Sequence, residues 1–333
     1  MAADRVATET AAAAPRRRPS ALVGVWHLVE RYALLVLLAL VVVFFVAWPK
    51  TSAAYSSVDN FRNIVGSQVV LAIIALGSIV PLICGQFDLS VGSVAGMTSV
   101  FTAAAYARWG FPLWAGIALG LLLGAVVGGV NGLLVTRFGV NALITTLGTA
   151  SVVTGLVNWY TGGNSIIQGI PHQLTDFGSG NWLGLPMTLY LLVTVALLIW
   201  YLLEHTPFGR YLHSVGANPE SARLVGLRIP SLVLRSFIVS GAAAGLAGVL
   251  LLSRSGSGNP GIGANFTLTA LAAAFLGATA VRPGRFNVLG TMLAIFFLAA
   301  AITGLTFAGV KDYISDLFTG TALVLGRRRA GRD

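Results

Sequence analysis

The sequence predicts an all-α polytopic membrane protein of about ten transmembrane helices, with both termini on the cytoplasmic side (N-in/C-in) and one short helix in a cytoplasmic loop. Three observations carry that expectation. Of 333 residues, 56% are hydrophobic and 10% charged, against roughly 45–50% and 25% in soluble domains, so too few polar side chains exist to clothe a water-facing surface. Apolar runs of about 20 residues, the length that crosses a bilayer as a helix, recur along the whole chain. The 21 Lys and Arg outnumber the 11 Asp and Glu, giving a formal charge of +10. Basic residues collect in cytoplasmic loops, which explains that excess better than a nucleic-acid partner does. A soluble enzyme, a disulfide scaffold and a disordered tail-binder are excluded, and a single cysteine, Cys84, builds neither a disulfide framework nor a Cys-based zinc site.

Residues 1–30, with Arg16, Arg17, Arg18 and two prolines, read as a disordered basic cytoplasmic leader. A cleavable signal peptide is the rival reading; the leader is long for one, as is the run from Ala33 to Trp48. The transmembrane domain then covers 31–326, with spans expected near 31–48, 63–84, 88–107, 112–135, 140–160, 187–203, 232–253, 266–281, 287–309 and 313–326, and a basic cytoplasmic tail follows at 327–333. An N-terminus inside the cell leaves only Lys50, Arg62, Arg108, Arg254 and Lys311 outside and puts the other 16 of the 21 basic residues inside.

Within these spans four features stand out. Gly85-Gln86-Phe87-Asp88 interrupts the third, which is expected to be a broken or re-entrant helix. Asp88 is the only acid embedded among the spans, where an unpaired charge costs roughly 2.5–3.5 kcal/mol. Either Asp88 or Ser90 caps the helix Val91–Tyr106 close to the cytoplasmic boundary, or Asp88, Ser90 and Ser93 belong to a transport path or a hinge beside it. Asn131, Asn141, Thr145 and Thr146 flank the next cytoplasmic turn and either bond between helices or line a conduit for a hydroxyl-rich solute. In the fourth span Gly116, Gly120, Gly124, Gly128 and Gly132 form one stripe that admits a second backbone closely, as internal packing or as a gating or subunit interface. Gly241, Gly245 and Gly248 repeat the pattern more weakly in the seventh.

Two loops exceed connector length. Residues 161–186 are glycine-rich and carry no Lys or Arg, which suits an outward loop open to an extracytoplasmic partner; residues 204–231 carry Glu204, His205, Arg210, His213, Glu220, Arg223 and Arg228 and fall inside. In the second, Asn218 is a good N-cap, Pro219 suits the first helical position, Glu220 favours the positive helix end and Gly226 supplies a stop, so Pro219–Val225 is expected to be helical. Two turns do not hold alone in water. The helix therefore docks, on this chain's own membrane domain or on a separate cytoplasmic subunit.

Catalytic signatures are missing. The only lysines, Lys50 and Lys311, follow Pro49 and Val310, so no Gly-Lys-[Ser/Thr] phosphate loop exists. No Gly-x-Ser-x-Gly elbow and no His-Glu-x-x-His pair occurs. Gly256, Gly258 and Gly261 match a dinucleotide pattern, but Pro260 lies inside it and no strand precedes it, so the segment reads as an outward loop.

Glu220-Ser221-Ala222 with Gly226 resembles the "EAA…G" coupling loop of ATP-binding-cassette importer permeases, with Ser221 where that pattern has Ala. TPFGRYLHSVGANPESARLVGL around it, GQFDLSVGSVAG at 85–96, GGVNGLLVTRFGVNALITTLGT at 128–149 and the stretch from Ala270 to Gly320 are similar to the ribose/xylose/galactoside type, from about Phe61 to Leu325. Gln86, Gly277-Ala278 and Thr303 depart from that family's pattern, away from the coupling segment. The resemblance implies a permease that moves a monosaccharide or related polyol across the bacterial cytoplasmic (inner) membrane. It implies a dimer, homodimeric or paired with another permease, which cytoplasmic ATPase subunits carrying ATP and Mg drive, and which an extracytoplasmic solute-binding protein supplies. No cofactor or metal is expected on this chain. The coupling role falls on Asn218, Pro219, Glu220, Ser221, Ala222, Arg223 and Gly226; Arg210, Arg223 and Arg228 either meet acidic groups of the ATPase or simply hold the loop inside. An ion-coupled carrier, and within the same class a branched-chain amino-acid permease, are the alternatives; an integral membrane enzyme lacks any catalytic constellation.

Overall fold

The computed structural model describes residues 21–310 together with 317, 320 and 321, so most of the leader, the tenth expected span at 313–326 and the tail at 327–333 lie outside the described residues apart from those three positions. The described chain is almost entirely helical: α1 (Ala21–Ala47), α2 (Ser52–Tyr55), α3 (Val58–Ser67), α4 (Val69–Ile83), α5 (Val91–Ala107), α6 (Leu113–Arg137), α7 (Ala142–Thr161), α8 (His172–Ser179), a hairpin of β1 (Asn181–Trp182) and β2 (Leu185–Pro186), α9 (Met187–His205), α10 (Pro207–Ala217), α11 (Pro219–Leu224), α12 (Ile229–Ser255), α13 (Asn265–Gly277) and α14 (Val288–Phe307). Among the described residues six stretches are long and apolar enough to cross a membrane: Val58–Ile83, α6, α7, α9, α12 and α14. Three shorter apolar helices, Arg31–Ala47 of α1, α5 and α13, stand at other expected spans.

The second expected span starts earlier than its apolar run, at Val58, because the Ser57 hydroxyl accepts from Asn60 N at 3.1 Å and opens α3. Buried α12 is the axis of the bundle, packed by α4, α5 and α6. Glycine lets α6 and α12 touch: Gly116, Gly120, Gly124, Gly128 and Gly132 are all buried, and a Cβ at Gly124 would run into Gly241 O, one at Gly128 into Phe237 O. Gly245 meets Gly120, and Gly248 meets Ala95 and Thr98 of α5. Around α12 the core is largely aliphatic, with Ile73, Ile74, Leu76 and Ile79 of α4, Leu250 of α12 and Ile295 of α14 buried together beside the Phe237 ring of α12. By contrast α7 rests chiefly on α5 and α6, and its far side exposes Ile144, Leu147, Val152, Leu156 and Trp159.

Polar groups gather at the two ends of the bundle. One end carries α8 and the hairpin; there Arg62 Nε donates to Gly184 O (2.8 Å), Lys50 Nζ to Ala308 O (2.7 Å), and Arg108 lies over the Tyr160 ring at 4.9 Å. The opposite end carries α10, α11 and the turn before α14, where Arg282 pairs with Glu204 and Val281 N donates to Arg31 O (3.1 Å).

Both long loops hold regular structure beyond the expected Pro219–Val225 helix. In 161–186, α8 covers the end of α12, Ser253 Oγ donating to Leu174 O at 2.5 Å, and the hairpin turns at Leu183 and Gly184, both at positive φ. The expected outward glycine loop is tied down as well, Ile166 and Gly258 exchanging backbone hydrogen bonds of 3.0 and 2.9 Å. In 204–231, α10 opens with the Thr206 side chain as cap and Pro207 behind it, and buries Leu212 and Val215.

Candidate functional site

The break in the third span organises the buried polar groups. After α4, Gly85 at φ +78° turns the chain, and residues 86–90 stay irregular until α5 starts at Val91. Cys84 Sγ lies 3.8 Å from Ser236 Oγ, whereas Asp88 reaches Ser240, one helical turn further along α12. Gly77 of α4 also faces Ser240. The chain therefore doubles back beside α4, and Asp88 stands level with the middle of α12 and not near a bundle end as expected.

Asp88 is 1% exposed. Its Oδ1 accepts from Ser90 N (3.1 Å) and Ser90 Oγ (2.6 Å), and its Oδ2 from Ser240 Oγ (2.8 Å). Neither Asp88 nor Ser90 caps α5 in the expected way: Ser90 sits in the helical region at φ −86°, ψ −13°, with no side-chain cap bond, because its hydroxyl is given to Asp88. Asn131 Nδ2 of α6 donates to Ser90 Oγ (2.9 Å), and Thr149 Oγ1 of α7 donates to Asn131 Oδ1 (2.6 Å). A hydrogen-bonded chain Thr149, Asn131, Ser90, Asp88, Ser240 thus runs from the exposed helix α7 through α6 to the axis helix α12. Satisfying every donor and acceptor in turn is what allows such a chain in an apolar interior.

Ser93 joins its margin, accepting from Thr154 Oγ1 at 3.4 Å. Thr146 is buried and gives its hydroxyl to Ala142 O (2.8 Å), with Phe87 O at 3.4 Å. Thr145 is buried beside it, its hydroxyl without a hydrogen-bond partner among the described residues. Asn141 does not belong to the chain: it is exposed and caps α7, accepting from Leu143 N at 2.9 Å. Ser240, Thr149 and Thr154 were not singled out in the sequence, although Ser236 and Ser240, four apart in an apolar helix, mark one polar face of α12.

The second candidate region is α11. Asn218 Oδ1 accepts from Ser221 N at 3.0 Å, Pro219 takes the first helical position, and Gly226 stands at φ +83° just past the end. Ala222 alone is buried, closing the helix on the rest of the chain. Pro219, Glu220, Ser221 and Arg223 are exposed, and Leu224 and Val225 are 88% and 76% exposed. Behind it α10 is braced on α4, since a Cβ at Gly216 would meet Ile83 O. Arg210, Arg223 and Arg228 are exposed.

Residues 60–325 match the family described as branched-chain amino acid transport system, permease component. The chain is 33% identical over 262 residues to the ribose import permease protein RbsC of Haemophilus influenzae, covering 78% of this chain and 81% of that one. It is 30% identical over 301 residues to the protein of the same name in Escherichia coli K12, covering 90% and 92%. With the autoinducer 2 import system permease protein LsrC of Photorhabdus laumondii it shares 32% identity over 270 residues, covering 81% and 80%. No solved structure gives a significant match.

Proposed function

Because the chain belongs to that permease family, as a multi-pass membrane protein and not an enzyme, we propose that it is the membrane-spanning subunit of an ATP-binding-cassette importer for a monosaccharide or related polyol. ATP and Mg act on separate ATPase subunits at the α10–α11 end, which is cytoplasmic, and a solute-binding protein delivers substrate to the α8 end. The permease domain runs from 31 to 326 with about ten spans between a basic leader and a basic tail, both inside the bacterial inner membrane's cytoplasmic face. Lys50, Arg62, Arg108 and Arg254 stand at the α8 end against Arg31, Arg210, Arg223, Arg228, Arg282 and Arg285 at the other, and that basic excess supports the orientation.

The observation that carries this reading is α11: a capped helix whose last apolar residues, Leu224 and Val225, project from the bundle end. Exposed large apolar side chains at the tip of a braced helix suit a cleft in another subunit. Closure of the ATPase pair pushes α11, and Asn218–Arg228 moves as one lever on α10 and α12. Both access states then lie within a few kcal/mol of each other.

The solute path follows the polar chain. Thr149, Asn131, Ser90 and Asp88 lead inward from α7, whose exposed face holds Gly148, Ser151 and Gly155 as well as apolar residues, and a second permease copy against α7 completes the conduit. Hydroxyl and amide groups exchange hydrogen bonds readily with a sugar, which favours a polyol over a branched-chain amino acid; the sugars named for the relatives agree.

Proteoliposomes carrying this chain, its ATPase subunits and its binding protein test the reading. Ribose uptake that requires ATP, with leucine excluded, is the expected result. Uptake that follows a proton or sodium gradient without ATP supports the carrier alternative, and leucine uptake the amino-acid one.

A further inference from the structure

A cavity of about 250 Å3 opens at the α10–α11 end, walled by Glu204 of α9, Arg210 and His213 of α10, and Arg282, Arg285 and Phe286 of the turn before α14. Three guanidinium groups meet one carboxylate there, and Arg282 already engages it. Among the described residues no second carboxylate lines the cavity to offset Arg210 and Arg285.

The turn that presents Arg282 and Arg285 is held under backbone strain. Val281 stands at φ +63°, a left-handed conformation that a β-branched residue adopts only when its surroundings impose it. Val281 N donates to Arg31 O (3.1 Å), and Asn287 Nδ2 donates to Ala280 O (3.1 Å) and Arg285 O (2.9 Å). Those bonds fix the spacing of the two arginines.

The surroundings mark the depth. Trp200 and Tyr201, one turn before Glu204 on α9, are both exposed and pack against His205. Val193, Leu197 and Leu198 on the same spanning helix are exposed as well, and Tyr32 is exposed beside Arg31. Trp and Tyr collect at the headgroup level of a bilayer, so the cavity lies where a lipid phosphate lies, with an apolar helix face beneath it for acyl chains.

We propose that this cavity binds the phosphodiester headgroup of an anionic phospholipid, with Arg210 and Arg285 as its ligands and Arg282 oriented beside them by Glu204. Basic pockets between membrane helices take such headgroups. An acidic patch of a soluble subunit carries the same sign of charge, but it has no use for the apolar face of α9 and its aromatic pair. The site fastens α9, α10 and the turn before α14 to the bilayer surface, giving the lever a fixed base.

The test uses the full chain, delipidated in detergent and titrated with dioleoylphosphatidylglycerol or dioleoylphosphatidylcholine while the thermal midpoint is followed. Phosphatidylglycerol is expected to raise the midpoint and phosphatidylcholine to leave it. Arg210→Gln with Arg285→Gln keeps the Arg282–Glu204 pair and is expected to weaken the response roughly 25-fold, about fivefold for each cation. Glu204→Gln adds net positive charge and is expected to tighten it, which keeps the test decisive if the double variant folds poorly. Equal responses to the two lipids, an unchanged double variant, or the same shift from inorganic phosphate alone would overturn the lipid assignment. So would purified ATPase subunit shielding the arginines where phosphatidylglycerol does not.

Discussion

Asp88 and His213 are the residues whose chemistry depends most on where the fold puts them. Asp88 accepts three hydrogen bonds at 1% exposure. Asp88→Ala orphans the Ser90 and Ser240 hydroxyls, and each buried group left unsatisfied costs about 1–3 kcal/mol. A large fall in the thermal midpoint is expected. Asp88→Asn keeps one acceptor, and the Ser240 hydroxyl can turn to receive the new amide, so its fall should be clearly smaller. Equal falls would show that the chain of hydrogen bonds does not matter to stability. For His213, burial and then the Arg285 charge hold the imidazole below its usual range, Arg282 adding to the effect and Glu204 opposing it. The unfolded chain therefore takes up this proton first. Stability from the neutral ring is present above the ordinary histidine value of about 6.5 and is lost as pH falls below it towards the depressed value. A midpoint that drops between pH 7.5 and 5, with a shallower drop in His213→Gln, is the expected outcome.

At the scale of elements, the α6–α12 crossing separates glycines that need no side chain from those that merely lack one. Gly124→Ala drives a Cβ into backbone of α12, whereas at Gly129 the nearest atom is Ile238 Cγ1 at 3.7 Å, an ordinary contact. Gly124→Ala should fold poorly or melt early; Gly129→Ala should match the parent or exceed it slightly, as alanine favours helix by up to about 1 kcal/mol. Size-exclusion profiles and thermal midpoints of the two variants check this. The stripe was readable because a period of four glycines is local. The capped helix α11 was readable for the same reason, since Asn218, Pro219 and Gly226 act within one short segment. Helix α10 carries a similar local signal in Thr206-Pro207, but its stability comes from Leu212 and Val215 meeting residues far away in sequence, which no local pattern reveals. The partnership of Asp88 with Ser240, 152 residues distant, and the doubling back of 85–90 are tertiary and leave no local mark.

For the whole molecule, the scarcity of charge has a simple consequence: with lysine only at positions 50 and 311, the chain holds no Gly-Lys-[Ser/Thr] phosphate loop, and the proposed mechanism therefore places ATP hydrolysis on separate subunits. Six of the charges at the α10–α11 end fall into two groups. Glu204, Arg210, Arg282 and Arg285 surround one cavity, while Glu220 and Arg223 sit on exposed α11. The proposed anchor and the proposed lever are thus adjacent yet separable by mutation. The measurement that reaches the central claim most directly is substrate-stimulated ATP hydrolysis by the reconstituted complex with Glu220→Lys and Gly226→Pro. The first change reverses the charge at the positive end of α11, and the second forbids the φ of +83° at its exit. The account predicts that the variant inserts normally while the stimulation disappears; full stimulation in that variant would contradict it.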